Sequence, residues 1–281
     1  MATTVTANMT GVIRIRPRRW GITGAATLWD YRDLAWLLAV RDLQVRYKQT
    51  ALGVLWAVLQ PVAVMVVMHV CFGRIMGMAE RVGDVAYPVF LFAGLLPWTL
   101  FASATQAVGN SLTQNAHMLG KVFFPRLLLP VTASAAATAD FALASVVLLG
   151  LMAWFGVAWT WGLLALPLVA AAVLAAVMGV GLIAASVNVW YRDARHALPL
   201  TVQVWFFLTP VIYPPTWLGE RWSWLLRFNP MAGPVQAMRA AVLGQPLDVA
   251  LQLSSLAVSA VLLAVGLVMF HAAERRFADV V

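Results

Sequence analysis

Six long apolar runs constrain this chain more than any other feature. They lie at about 54–74, 88–109, 127–155, 163–189, 198–213 and 249–270. A helix needs about 20 apolar residues to cross the hydrocarbon of a bilayer, and tilt widens that range. Inside hydrocarbon every backbone N–H and C=O must be paired within the protein, so these runs are expected to be helices. The fold class that follows is an all-α membrane protein with six transmembrane helices. The fifth run is short. Behind it, segment 214–247 carries Trp217, Trp222, Trp224 and Phe228, then Asn229-Pro230, then a helix-like stretch from Val235 to Leu243. This is neither a polar loop nor a clean span, and two short re-entrant helices between spans five and six account for it.

Composition agrees. The chain is 62% hydrophobic and 11% charged, whereas soluble domains carry about 25% charged residues. The formal charge of +8 sits at the ends of the apolar runs, where topology signals and anionic lipid contacts belong. No basic stripe with interleaved aromatics forms a reading face, so nucleic acid is not an expected partner. With six spans and the N-terminus inside, Arg74, Arg81, Arg221, Arg227 and Arg239 fall outside, and the other fourteen of the nineteen Lys and Arg fall in the cytosol. The excess of basic residues places both termini in the cytosol.

Residues 1–27 hold Arg14, Arg16, Arg18 and Arg19 without an apolar core and cleavage site, so they read as a flexible cytosolic arm. Residues 28–272 form the membrane domain and 273–281 a cytosolic tail. Its first element, 30–50, is read as an amphipathic helix lying on the membrane surface. Asp30 is placed to cap it, and Trp36, Val40, Leu43 and Tyr47 would line one face of it. Leu52-Gly53 then turns the chain into the first span.

Chemistry is sparse. Of eleven Asp and Glu, only Asp140 lies well inside a run. An ion-coupled transporter or a membrane enzyme with paired carboxylates needs several such groups. Asp140 is expected to hydrogen-bond a neighbouring helix, to be protonated, or to mark a polar point on a translocation path. Cys71 is alone, and His69, His117, His196 and His271 make no metal-binding spacing. No GxxxxGK[ST] loop is present, so any ATPase must be another polypeptide. Loop 110–126 reads either as an ordinary connector or as a short helix from Ser111 to Leu119, with Phe123 and Phe124 behind it, pressed into a groove on such a partner. Among thirteen Trp, Trp98, Trp154, Trp159 and Trp161 read as interface anchors. Trp205, Phe206 and Phe207 either pack or line a path.

Five segments together resemble a known family. They are RDLQVRYKQTALGVLWAVLQP (41–61), KVFFPRLLLP (121–130), NVWYRDAR (188–195), LTPVIYPP (208–215) and NPMAGPVQAMRAAVLG (229–244). In this order they resemble the ABC-2 permeases that export lipid-linked polysaccharides, a group that includes O-antigen, capsule and teichoic-acid permeases. The resemblance implies a homodimeric permease in the bacterial inner membrane, docked on a separately encoded ATPase dimer that binds ATP and magnesium; this chain would hold no cofactor and catalyse nothing. It implies ATPase contact through Arg41, Asp42, His117, Lys121 and Phe124. A portal for the lipid pyrophosphate would involve Arg46, Lys48, Leu52 and Gly53. The channel or its gate would involve Asp140, Trp205, Phe206, Phe207, Tyr213, Trp217 and Trp222, with the two short helices at its periplasmic mouth. An ABC-2 exporter of another cargo (teichoic acid, drug or lipid) is one alternative. A polytopic glycosyltransferase or polymerase is the other.

Overall fold

The computed structural model describes residues 4–7, 13–16, 29–48, 53–82, 85–119, 124–191 and 193–274. In the N-terminal arm, β1 (Thr4–Ala7) pairs antiparallel with β2 (Ile13–Arg16), Thr4 opposite Arg16. This ribbon was not expected from the sequence. Everything else of regular structure among the described residues is helical.

Among the described residues, five helices are long and apolar enough to span a membrane. The first is α2 (Leu55–Met68), which continues as a π-helical turn over His69–Ile75. After a short α3 (Met78–Arg81) comes α4 (Tyr87–Gln114), the second span. Beyond α5 (Ala116–Leu119), the third span is built from α6 (Leu128–Ala133) and α7 (Ala135–Trp154). The fourth enters through a 3-10 turn, Trp161–Ala165, and runs on as α8 (Leu166–Trp190). The last is α12 (Val249–Glu274). These match the expected limits closely. The run at 198–213 differs. Its helix, α9 (Ala194–Leu208), has 15 residues and stops before Thr209-Pro210, a rise of about 22 Å. Behind it lie α10 (Gly219–Arg227) and α11 (Ala232–Leu243), the two short helices expected in that segment.

The helices are far from equivalent. In the most apolar window of α4, 78% of residues are buried, against 11% in α2 and 22% in α12. α4 is therefore the hub, and α2, α7, α8, α9 and α11 all pack on it. Lipid tails are as apolar as leucine, so close packing rather than water exclusion must hold such helices together. Small residues permit it. A Cβ on Gly181 of α8 would lie 2.5 Å from Val108 of α4, and one on Gly266 of α12 would lie 2.7 Å from the Gly179 carbonyl. Several buried polar groups find partners on neighbouring turns or helices. Ser111 and Ser186 hydroxyls donate to carbonyls one turn back, and Asn188 Nδ2 donates across helices to Gly109 O at 2.7 Å.

A smaller core joins the end of α4 to the helix before the first span, α1 (Arg32–Tyr47). It gathers Leu38, Leu112, Phe124, Leu128, Leu182 and Phe270. The face of α1 that packs on the chain is visible here, and one expectation for its start is corrected. Its inward face carries Leu34, Ala35 and Leu38, while Trp36 is 73% exposed. An indole rim suits a membrane interface better than a tightly packed core, and the smaller side chains let α1 approach. Asp30 makes no cap: the N-cap is Tyr31, without a side-chain hydrogen bond. Trp98 is a second correction. It is 6% exposed in the hub, packed on Phe101 and Phe206 with ring centroids 5.4 and 5.5 Å away. Trp154, Trp159 and Trp161 are exposed, as anchors should be.

Candidate functional site

Two clusters of polar side chains lie at the two ends of α4, and some of the residues singled out from sequence belong to them. At its C-terminal end, Arg41 of α1 reaches across. Its Nη2 donates to Asn115 Oδ1 at 2.8 Å and to Asp42 Oδ1 at 2.8 Å, Nε also reaches Asp42 Oδ1 at 3.0 Å, and Nη1 points to Met118 Sδ at 3.3 Å. Asn115 is buried and its Nδ2 donates to Ser111 O. One guanidinium thus ties α1 to both α4 and α5. α5 covers only Ala116–Leu119; Ser111–Gln114, expected in the same short helix, prolong α4 instead. A buried Ser111 and Leu112 keep α4 helical past the membrane run. His117 is exposed on α5. Phe124, expected to face a partner, is 6% exposed and packs within the chain's own smaller core. Its large apolar ring has cover there from Leu38 and Leu128, so it supports the loop rather than presenting a surface. Lys121, Phe123 and Leu52 lie outside the described residues.

One turn further along α1, two residues assigned to different roles meet. Arg46 Nη2 lies 2.6 Å from Asp140 Oδ2, and the Tyr47 hydroxyl donates to Asp140 Oδ1. The carboxylate is largely shielded and the Arg46 side chain 40% exposed. Asp140 lies in the second turn of α7, so the expected surface helix sits against a span, anchored by a charge. Removing one partner of a shielded ion pair strands the other, which is costly even where the pair itself adds little. Lys48 is exposed at the end of α1. Gly53, at φ +51°, begins the turn into α2, a conformation that other residues rarely adopt.

At the N-terminal end of α4, the chain leaves α9 as Thr209–Tyr213, a non-helical stretch whose carbonyls at Pro210, Val211 and Tyr213 take side-chain donors. Arg239 of α11 meets them. Its Nη1 donates to Pro210 O at 2.7 Å and Tyr213 O at 3.3 Å, and Nη2 to Val211 O at 2.5 Å. The guanidinium also stacks 3.7 Å from the Phe90 ring centroid, beside Gly94, where a Cβ would lie 2.9 Å from Nη2. Tyr87 OH donates to Ile212 O at 3.2 Å. Asn229 completes the frame: it donates to Leu208 O and Thr209 Oγ1, and accepts from Trp205 Nε1 and the Met231 N–H.

Sequence reading placed Arg239 among the outward topology charges. The structure buries it to 1% exposure. The available signal was a lone Arg in an apolar helix beyond a Pro-rich, donor-poor segment. The aromatic trio also divides. Trp205 rests on Phe101 and Phe206 on Trp98, at 5.5 Å each, while Phe207 is 59% exposed. Tyr213 is half-buried, its hydroxyl donating to Phe207 O. Trp217 and Trp222 are exposed on the segment beyond. No group of three or more His, Cys, Asp or Glu suited to a metal occurs among the described residues.

These features define a multi-pass membrane protein whose polar groups link helices to one another. The chain belongs to the ABC-2 type transporter family, which it matches over residues 33–243. It is similar to the O-antigen export system permease protein RfbA of Myxococcus xanthus, with 31% identity over 90% of this chain and 96% of the relative. It is 29% identical to an RfbA of Klebsiella pneumoniae over 88% of this chain and 95% of that protein. The polysialic acid transport protein KpsM of Escherichia coli is 27% identical over 84% and 92%.

Proposed function

We propose that this chain is the permease subunit of an ABC exporter that moves a lipid-linked polysaccharide, such as O-antigen, out of the cytoplasm. What carries the reading is the similarity to RfbA permeases along nearly the whole of both chains. The physics is compatible. A long polymer cannot be enclosed by a pocket, so a continuous path that fits sugar rings loosely serves it better than a tight site. Force must then come from a partner, through elements that touch that partner.

In this reading the permease is a homodimer in the bacterial inner membrane with both termini cytosolic, and each copy meets a separately encoded ATPase. α9 with Thr209–Tyr213 serves as the short fifth of six spans, and α10 and α11 re-enter the membrane on the periplasmic side. Exposed His117 on α5 and the Arg41–Asn115 link form the contact that passes ATPase motion to α4. Lys48 and the Gly53 turn border the portal where the lipid pyrophosphate arrives, with Arg46 held ready by Asp140. Phe207, Trp217 and Trp222 offer exposed rings near the outer mouth, where flat sugar faces can stack.

The test is co-purification from membranes with the ATPase encoded beside it, then ATPase assays in lipid with and without lipid-linked polysaccharide. A complex with two copies of each chain, and turnover that responds to the polymer, is the expected result. A chain that purifies without any ATPase and transfers sugars would overturn the reading in favour of a membrane glycosyltransferase. Turnover that responds to a drug or simple lipid and ignores the polymer would redirect it to another ABC-2 cargo.

A further inference from the structure

One cavity lies apart from every residue given a part in transport above. It is a crevice of about 490 Å³ between α2, the start of α4 and the end of α7. Its walls are apolar, with Met65 on one side and Leu151, Trp154 and Phe155 on the other. His69 and Arg74 supply its polar groups. Both belong to the π-helical turn that ends the first span. Such a turn inserts an extra residue and is frequent at functional sites.

The local packing explains how that turn is held. Gly73 lies so close to Tyr87 that a Cβ would come within 2.7 Å of its ring. The His69 ring sits 5.9 Å from that of Tyr87, and its Nδ1 is buried with no hydrogen-bond partner. Arg74 stays exposed at the rim and makes no ion pair among the described residues. Trp154, 85% exposed, marks the depth of the membrane interface. The flank of α2 beside the crevice is apolar and open, with Val66 and Val67 at 50% and 59% exposure.

We infer that this crevice is a binding site for one anionic phospholipid. The headgroup phosphate meets Arg74, with the His69 imidazole as a second donor, and the upper part of an acyl chain lies between α2 and α7. Charge complementarity argues for an anion, since the cation lacks a counterion among the described residues. The apolar walls at interface depth argue for a lipid over a soluble anion. The site does not depend on which cargo the transporter moves.

Native mass spectrometry of the full-length chain, with any ATPase that co-purifies, tests this against dioleoyl phosphatidylglycerol and dioleoyl phosphatidylcholine. Retained phosphatidylglycerol adducts are expected. Arg74→Gln should weaken them about five-fold, the usual worth of one basic residue at a lipid surface, and leave phosphatidylcholine unchanged. Leu151→Trp, which fills the crevice, should weaken both lipids. Equal phosphatidylglycerol retention by the parent and R74Q, with matching circular dichroism, would overturn the proposal. So would displacement by glycerol phosphate as effective as by intact lipid, which would make this a phosphate site. A disulfide between two copies through Val66→Cys would place a second chain in the crevice and would also overturn it.

Discussion

Both ends of α4 are clamped by an arginine, and the two clamps are built differently. Arg41, with 36% of its side chain exposed, is shared between a neighbouring carboxylate and one buried amide. Arg239 is 1% exposed, has carbonyls and an aromatic face as partners, and is charged inside an apolar shell. A half-exposed pair can open and re-form at small cost. A buried cation that loses its acceptors strands charge, and each such group costs several kcal/mol. The comparison teaches that one end of the molecule is made to yield and the other to hold.

The largest effect should come from the rigid clamp. Arg239→Leu is expected to lower stability by about 4 kcal/mol or more, read as lost folded yield or a lower thermal midpoint in detergent. An effect no greater than that of Arg41→Ala would break the comparison. Trp98→Ala should cost about 3 kcal/mol by opening a cavity in the hub, whereas Trp161→Ala, whose side chain is exposed, should shift the midpoint little. Equal effects of the two would mean that burial in the isolated chain misjudges the assembled one. A double-mutant cycle of Arg46→Ala and Asp140→Ala should give a coupling of about 1–2 kcal/mol, and zero coupling would remove the anchor of α1. Smallest in stability is Arg41→Ala, at about 1 kcal/mol or less. Its mark should be functional: ATP-driven export falling several-fold while the complex still assembles. Loss of assembly instead would make Arg41 a docking residue rather than a link.

How far the sequence could be read follows the same division. Span limits were legible because hydrocarbon thickness sets a length, and the last apolar run, expected at 249–270, emerges as Val249–Glu274. Which span is the hub was not legible. In lipid, core-facing and lipid-facing positions are both apolar, so periodicity does not separate α4 from α2. For the same reason Trp98 was taken for an anchor. Among the site residues, Gly53 could be read because only its backbone was at issue. The pairing of Arg46 with Asp140 joins residues 94 positions apart across two helices, which no local pattern encodes. Arg239 escaped because its acceptors are main-chain carbonyls, which leave no trace in residue types.

α4 also has a mechanical meaning. Its 28 residues make a rod of about 42 Å, with the yielding clamp at one tip and the rigid one at the other. Pivoting such a rod by about 5° around its midpoint sweeps each tip by about 2 Å, in opposite directions. That is the arithmetic of a lever: a nudge against Asn115 arrives beneath Phe90 with its sign reversed, without any side chain along the way having to change rotamer.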